Sequence, residues 1–148
     1  MLSAEPTFFK NPRSPRRVSR RSTAYAESAR AENALNTELL SELIGVLEDT
    51  GLDSSIKATV LTGAASDDDA QHFFCAGGDL FLDDEGGPML PSHFERRAYA
   101  DLLRTFRTLR TPTVAAVNGH AFWGGFGLLL SCDLAVASES AKMGTPEV

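Results

Sequence analysis

The chain has 148 residues, 43% of them apolar, and a formal net charge of −6: enough for one globular domain with a sizeable core, and too acidic to take nucleic acid as a general partner. Cys75 and Cys132 have neither CxxC nor zinc-type spacing, which fits free thiols in a reducing, cytoplasmic setting and no metal site. No apolar stretch reaches the ~18 residues of a membrane span, so no membrane partner is expected.

The charge is unevenly spread. Residues 1–30 carry Lys10, Arg13, Arg16, Arg17, Arg20, Arg21 and Arg30 against Glu5 and Glu27, which leaves seven basic and eighteen acidic residues, a net −11, in the remainder. Residues 1–30 show neither helical nor strand periodicity and contain Pro6, Pro12 and Pro15, so a disordered basic tail is predicted, followed by a domain over 31–148. Its Arg- and Ser-rich character resembles a mitochondrial transit segment, which makes the mitochondrial matrix the alternative location. The three prolines interrupt the amphipathic helix such a segment needs.

From Asn36 the pattern predicts a helix. Asn36 is a suitable N-cap; Leu35, Leu39, Leu43, Val46 and Leu47 form an apolar stripe; Gly51 is placed to end it. Ile56 to Thr62 reads as a strand rich in β-branched residues. Ser66-Asp67-Asp68-Asp69 is a solvated loop without the ligand spacing of a calcium site. Phe73 to Cys75 is an apolar strand end leading into Gly77-Gly78. Residues 81–93, with Gly86-Gly87-Pro88 and Pro91, read as a loop of the kind that covers a pocket. Phe94 to Arg110 is a second helix with Phe94, Ala98, Leu102, Phe106 and Leu109 on one face, its arginines being a solvated face or, less simply, a contact for a ligand phosphate.

The densest signal is Val114 to Val148. A short apolar strand (114–117) ends at Asn118-Gly119; Gly124-Gly125 leads into a helix apolar enough to be buried; Leu134 to Ala137 reads as another buried strand. A glycine turn at a helix N-terminus offers free N–H groups at close approach. One such turn is more simply a tight packing device. Two of them, at Gly77-Gly78 and Gly124-Gly125, match the chemistry in which separate backbone amides hold one developing oxyanion.

Three blocks together resemble the crotonase, or enoyl-CoA hydratase/isomerase, superfamily: Asn33-Ala34-Leu35-Asn36 with its helix, Phe74-Cys75-Ala76-Gly77-Gly78-Asp79-Leu80, and Thr111-Pro112 through the closing GTPEV. The resemblance spans 31–148 and implies an α/β fold, the crotonase-like spiral of ββα turns, of which this chain carries the N-terminal portion. It implies an acyl-CoA thioester as substrate, with coenzyme A part of that substrate and no separate cofactor. By this matching the amides of Gly78 and Gly124 hold the thioester oxygen, Ala76, Asp79 and Leu80 flank the CoA arm, and Phe81 helps wall the acyl pocket. Glu147 of the Gly144-Thr145-Pro146-Glu147 turn matches one of the family's two water-flanking glutamates and becomes the acid/base. The position of the other is Gly127, which has no side chain. Hydration uses both groups, whereas shifting a double bond through a dienolate needs only one proton carrier, a task within reach of Glu147. His120 is expected to pack near the pocket without acting as a base, Trp123 stands at a position the family keeps small, and Cys132 fills core. Homo-oligomers built on trimers are implied for complete family members. The alternative is a catalytically inactive crotonase-like fragment that binds acyl-CoA or a paralogous subunit.

Overall fold

The computed structural model describes residues 22–26, 32–64, 72–78 and 90–145. Its elements follow a repeating order. Strand β1 (Ser22–Ala26) precedes helix α1 (Thr37–Leu52); β2 (Thr59–Gly63) and β3 (Phe73–Cys75) precede α2 (Leu90–Thr108); β4 (Thr113–Val117) and β5 (His120–Phe122) precede α3 (Gly124–Ser131); β6 (Leu134–Ala137) and β7 (Met143–Gly144) follow. The first strand of each turn joins one parallel sheet, ordered β1-β2-β4-β6. The second strand joins another, ordered β3-β5-β7 and also parallel. In the first turn Leu35 takes the place of a second strand, bridging to Gly78. The chain thus advances as a spiral, one rung per ββα turn, with the helices crossing back as parallel connections require.

Alternation decides which side chains reach the core. Strands β2 and β4 both read buried, half-buried, buried along their length, the period of two that one covered face imposes. Leu61, Ala115 and Val117 meet Phe74, Cys75 and Ala121 of the second sheet, and the α1 stripe Leu39, Leu43, Val46 and Leu47 closes over them with Leu102 and Phe106 of α2. Asn36 caps α1 as expected, its Oδ1 accepting from the Leu39 N–H at 2.9 Å. Gly51 does not end that helix, which runs one residue further to Leu52 and stops at Asp53. The predicted strand at 56–62 is found as Thr59–Gly63, and the second helix starts earlier than expected, inside the 81–93 loop. Arg96, Arg97, Arg104 and Arg107 are exposed, Asp101 pairing with Arg104 at 2.7 Å and Arg97 at 3.8 Å, the solvated face the helical spacing implies.

Two further expectations fail. Within the segment read as disordered, Ser22–Ala26 forms β1, pairing in register from Ser22↔Thr59 to Ala26↔Gly63. Ser-Thr-Ala-Tyr-Ala has little apolar alternation, and its pairing with β2 joins segments far apart in the chain, which local sequence does not encode. Residues 1–21 and 27–31 lie outside the described residues. Strand β6, read as buried, is exposed along its whole length, with Leu134 64% and Val136 69% accessible. It is the outer strand of its sheet, and no described element packs over it. No helix among the described residues is long and apolar enough to cross a membrane.

Candidate functional site

Because β3, β5 and β7 run parallel and adjacent, their carboxyl ends share one edge of their sheet. Ala76-Gly77-Gly78 leaves β3 there, Trp123-Gly124 leaves β5, and Thr145 leaves β7. That edge is where parallel α/β sheets hold ligands.

The two glycine loops interlock at two points. A Cβ on Gly77 would sit 2.9 Å from the Trp123 Cβ and 3.2 Å from the Phe122 carbonyl oxygen, and Gly77 adopts φ +105°, a conformation open to glycine at no steric cost. A Cβ on Gly125 would overlap the Cys75 carbonyl oxygen and lie 2.7 Å from the Cys75 Cβ. One glycine of each pair, Gly77 and Gly125, therefore lets the two loops touch. A Cβ on Gly78, by contrast, would meet nothing within 4 Å.

Hydrogen bonds orient the two amides. The Leu35 N–H donates to the Gly77 carbonyl at 2.6 Å. In a trans peptide the N–H points opposite to the C=O, so the Gly78 N–H turns away from Leu35. The Gly127 N–H donates to the Trp123 carbonyl at 3.0 Å, so by the same geometry the Gly124 N–H points outward from the start of α3. Among the described residues neither N–H has an acceptor. Trp123 is pinned on both sides, its own N–H donating to the Gly144 carbonyl at 3.1 Å. It holds φ +46°, ψ −117°, a conformation costing of order 1–3 kcal/mol for a side-chain-bearing residue. Its ring is partly exposed and meets Phe122 edge-on, centroids 6.1 Å apart.

Three supports were not anticipated as such. Asn33 is buried at φ +58° and its Nδ2 donates to the carbonyls of Ala64, at 3.1 Å, and Phe73, at 2.7 Å, tying the start of the domain to the loop ends of β2 and β3. Asp133 accepts from both the N–H and the hydroxyl of Thr113, each at 2.8 Å, and these bonds hold its carboxyl below the usual carboxylate range. Tyr99 of α2 donates its hydroxyl to the Gly124 carbonyl at 2.8 Å. The sequence counted Ala98 and Leu102 on that helix face; no local pattern links Tyr99 to a glycine pair 25 residues on.

His120 begins β5, at the opposite end of that strand from Trp123. Its Nδ1 accepts from the Lys142 N–H at 3.1 Å while its ring stacks on Phe122, so it packs at the far end of β5 from the glycine loops and not beside them as expected. Cys75 is buried, and burial pushes its thiol up to about 12 against the opposing effect of a Gly77 backbone hydrogen bond. Cys132 is half-buried, pushed by burial to about 11. Both are free and protonated at neutral pH. No group of three or more His, Cys, Asp or Glu among the described residues is placed to hold a metal ion. Of the residues the sequence singled out, Ala76, Gly78 and Gly124 come together at this edge, while Asp79, Leu80, Phe81 and Glu147 lie outside the described residues.

A stack of ββα turns with two glycine loops meeting at one sheet edge is the N-terminal portion of the crotonase fold. The solved structure of an enoyl-CoA hydratase from Bacillus anthracis superposes with a TM-score of 0.74 at 31% identity, covering 83% of this chain and 45% of that one. The chain matches the enoyl-CoA hydratase/isomerase family over residues 27–148, and it belongs to that family. It is 39% identical over 118 residues to a 2,3-dehydroadipyl-CoA hydratase of Escherichia coli, covering 80% of this chain and 43% of the relative. It is 41% identical over 120 residues to a putative enoyl-CoA hydratase of Thermus thermophilus, covering 78% and 44%. The chain therefore spans somewhat under half the length of these relatives.

Proposed function

We propose that this chain carries the enolate-stabilising part of an acyl-CoA enzyme, and that its reaction is double-bond isomerisation rather than hydration. The observation that carries the reading is the interlock of the loops bearing Gly78 and Gly124, with both amide N–H groups pointing away from the donors that hold the carbonyls of their peptides. Two such donors facing one thioester oxygen would stabilise it as charge develops, and losing one typically costs ~3 kcal/mol of barrier. The family and the acyl-CoA hydratases among its relatives make the thioester the natural substrate class. Ala76, Asp79 and Leu80 would flank its CoA arm and Phe81 its acyl group.

Glu147 would be the proton carrier. In a 3-enoyl-CoA it takes a proton from C2, the C2–H electron pair delocalises into a dienolate whose oxygen rests on Gly78 and Gly124, and the proton returns to C4 to give the trans-2-enoyl thioester. Nothing is added, so one carboxylate suffices. Hydration adds the water oxygen at C3 and a proton at C2 and benefits from a second group to fix the water; Gly127 offers none.

The test is turnover of a short 3-enoyl-CoA by the purified chain, followed by absorbance of the conjugated product. Wild type should isomerise it and Glu147→Gln should lose that activity while still binding acyl-CoA. Acyl-CoA binding without any turnover by wild type would instead identify a non-catalytic binding module.

A further inference from the structure

Resting on the isomerase reading above, we infer that Tyr99 and Gly127 form a complementary pair that determines reaction specificity: the Tyr99 hydroxyl fills the space a side chain at 127 would enter, so no second carboxylate or attached water can stand there. Gly124 and Gly127 are three residues apart on α3 and so share a face. Tyr99 lies along that face. Its Cε2 and Cζ would be 3.6 and 3.7 Å from a Cβ on Gly124, its hydroxyl bonds the Gly124 carbonyl, and a Cβ on Gly127 would overlap the hydroxyl oxygen with Cζ at 3.3 Å. The absent side chain at 127 is thus no empty slot. It is a slot another element occupies.

The chemistry of the occupant matters as much as its volume. Burial, and secondarily the nearby Cys75 thiol, push the Tyr99 phenol up to about 12, so it remains a neutral donor across physiological pH. Its one proton is committed to Gly124. A group in that state takes no proton from water, and it displaces the carboxylate that could. The site is left with one proton carrier and a glycine turn braced from the side.

Two measurements test the pair. In thermal unfolding, Gly127→Ala should lower Tm by several degrees in the native background, because the methyl meets the Tyr99 oxygen. In a Tyr99→Phe background that oxygen is gone and the nearest ring atom is the 3.3 Å neighbour, so the same change should cost little. In product analysis, wild type should convert 3-enoyl-CoA to trans-2-enoyl-CoA without accumulating 3-hydroxyacyl-CoA. Tyr99→Ala/Gly127→Glu should raise hydration of trans-2-enoyl-CoA by on the order of a hundredfold, the scale of one placed acid–base group. An equal cost of Gly127→Ala in both backgrounds overturns the inference whether or not the double variant folds. So does a wild type that hydrates as readily as it isomerises. A wild type with no isomerase activity overturns the functional reading and this inference with it; an isomerising wild type with an uncoupled pair overturns this inference alone.

Discussion

Gly125→Ala would strike the contact that holds the two glycine loops together. The added Cβ overlaps the Cys75 carbonyl oxygen and lies 2.7 Å from the Cys75 Cβ and 2.8 Å from its carbonyl carbon. Backbone atoms of a paired strand cannot rotate aside, so α3 must back away from β3. Overpacking of this kind costs about 3 kcal/mol at the upper end of its usual range. Alanine is the better helix former by up to ~1 kcal/mol, which leaves a net loss of about 2 kcal/mol. For a domain of this size that corresponds to a fall in Tm of roughly 4–8 °C. Gly78→Ala is the matched control, since its Cβ enters open space with nothing within 4 Å and should leave Tm within a degree or so of wild type. The assay is thermal unfolding by circular dichroism of the two variants beside wild type. Equal stability of Gly125→Ala and wild type, or an equal loss for Gly78→Ala, would refute the close contact between α3 and β3 on which the geometry of the site depends.

Two further outcomes are expected. Asn33→Ala removes the donor shared by two buried-side carbonyls and places alanine at φ +58°; a loss of about 2 kcal/mol in urea unfolding, with an unchanged m value, is expected. Asp133 has a folded pKa below its ordinary value, so its bonds to Thr113 stabilise the fold fully above the unfolded carboxylate pKa and are lost as pH falls through the lowered one. Asp133→Asn should therefore reduce stability at neutral pH and flatten the acid limb of the stability–pH profile; an unchanged acid limb would show that another carboxylate controls it.

The elements were legible where a short stretch of chain carries its own cause. The Asn36 cap and the Leu39–Leu43–Val46–Leu47 stripe specify α1 without help from any other segment, and the Ala98–Leu102–Phe106 stripe marks the body of α2 in the same way. Strand β1 was hidden because Ser-Thr-Ala-Tyr-Ala carries almost no apolar pattern, and its place along β2 is a long-range pairing. The exposure of Leu134 and Val136 was hidden for the converse reason: an apolar run records what a strand is suited to bury, whereas its position in the sheet decides what covers it.

By itself the sequence carried the Asn36 cap, the apolar runs and the two glycine pairs, because each is a local backbone requirement written in neighbouring residues; the ββα turn followed from the resemblance of these blocks to the enoyl-CoA hydratase/isomerase family. The tertiary structure alone decided that Gly77 abuts Trp123, that Gly125 abuts Cys75, and that Tyr99 stands where a side chain at 127 would be. These are contacts between segments far apart along the chain. Their geometry depends on how parallel strands and helices pack in space, which no single stretch of sequence contains.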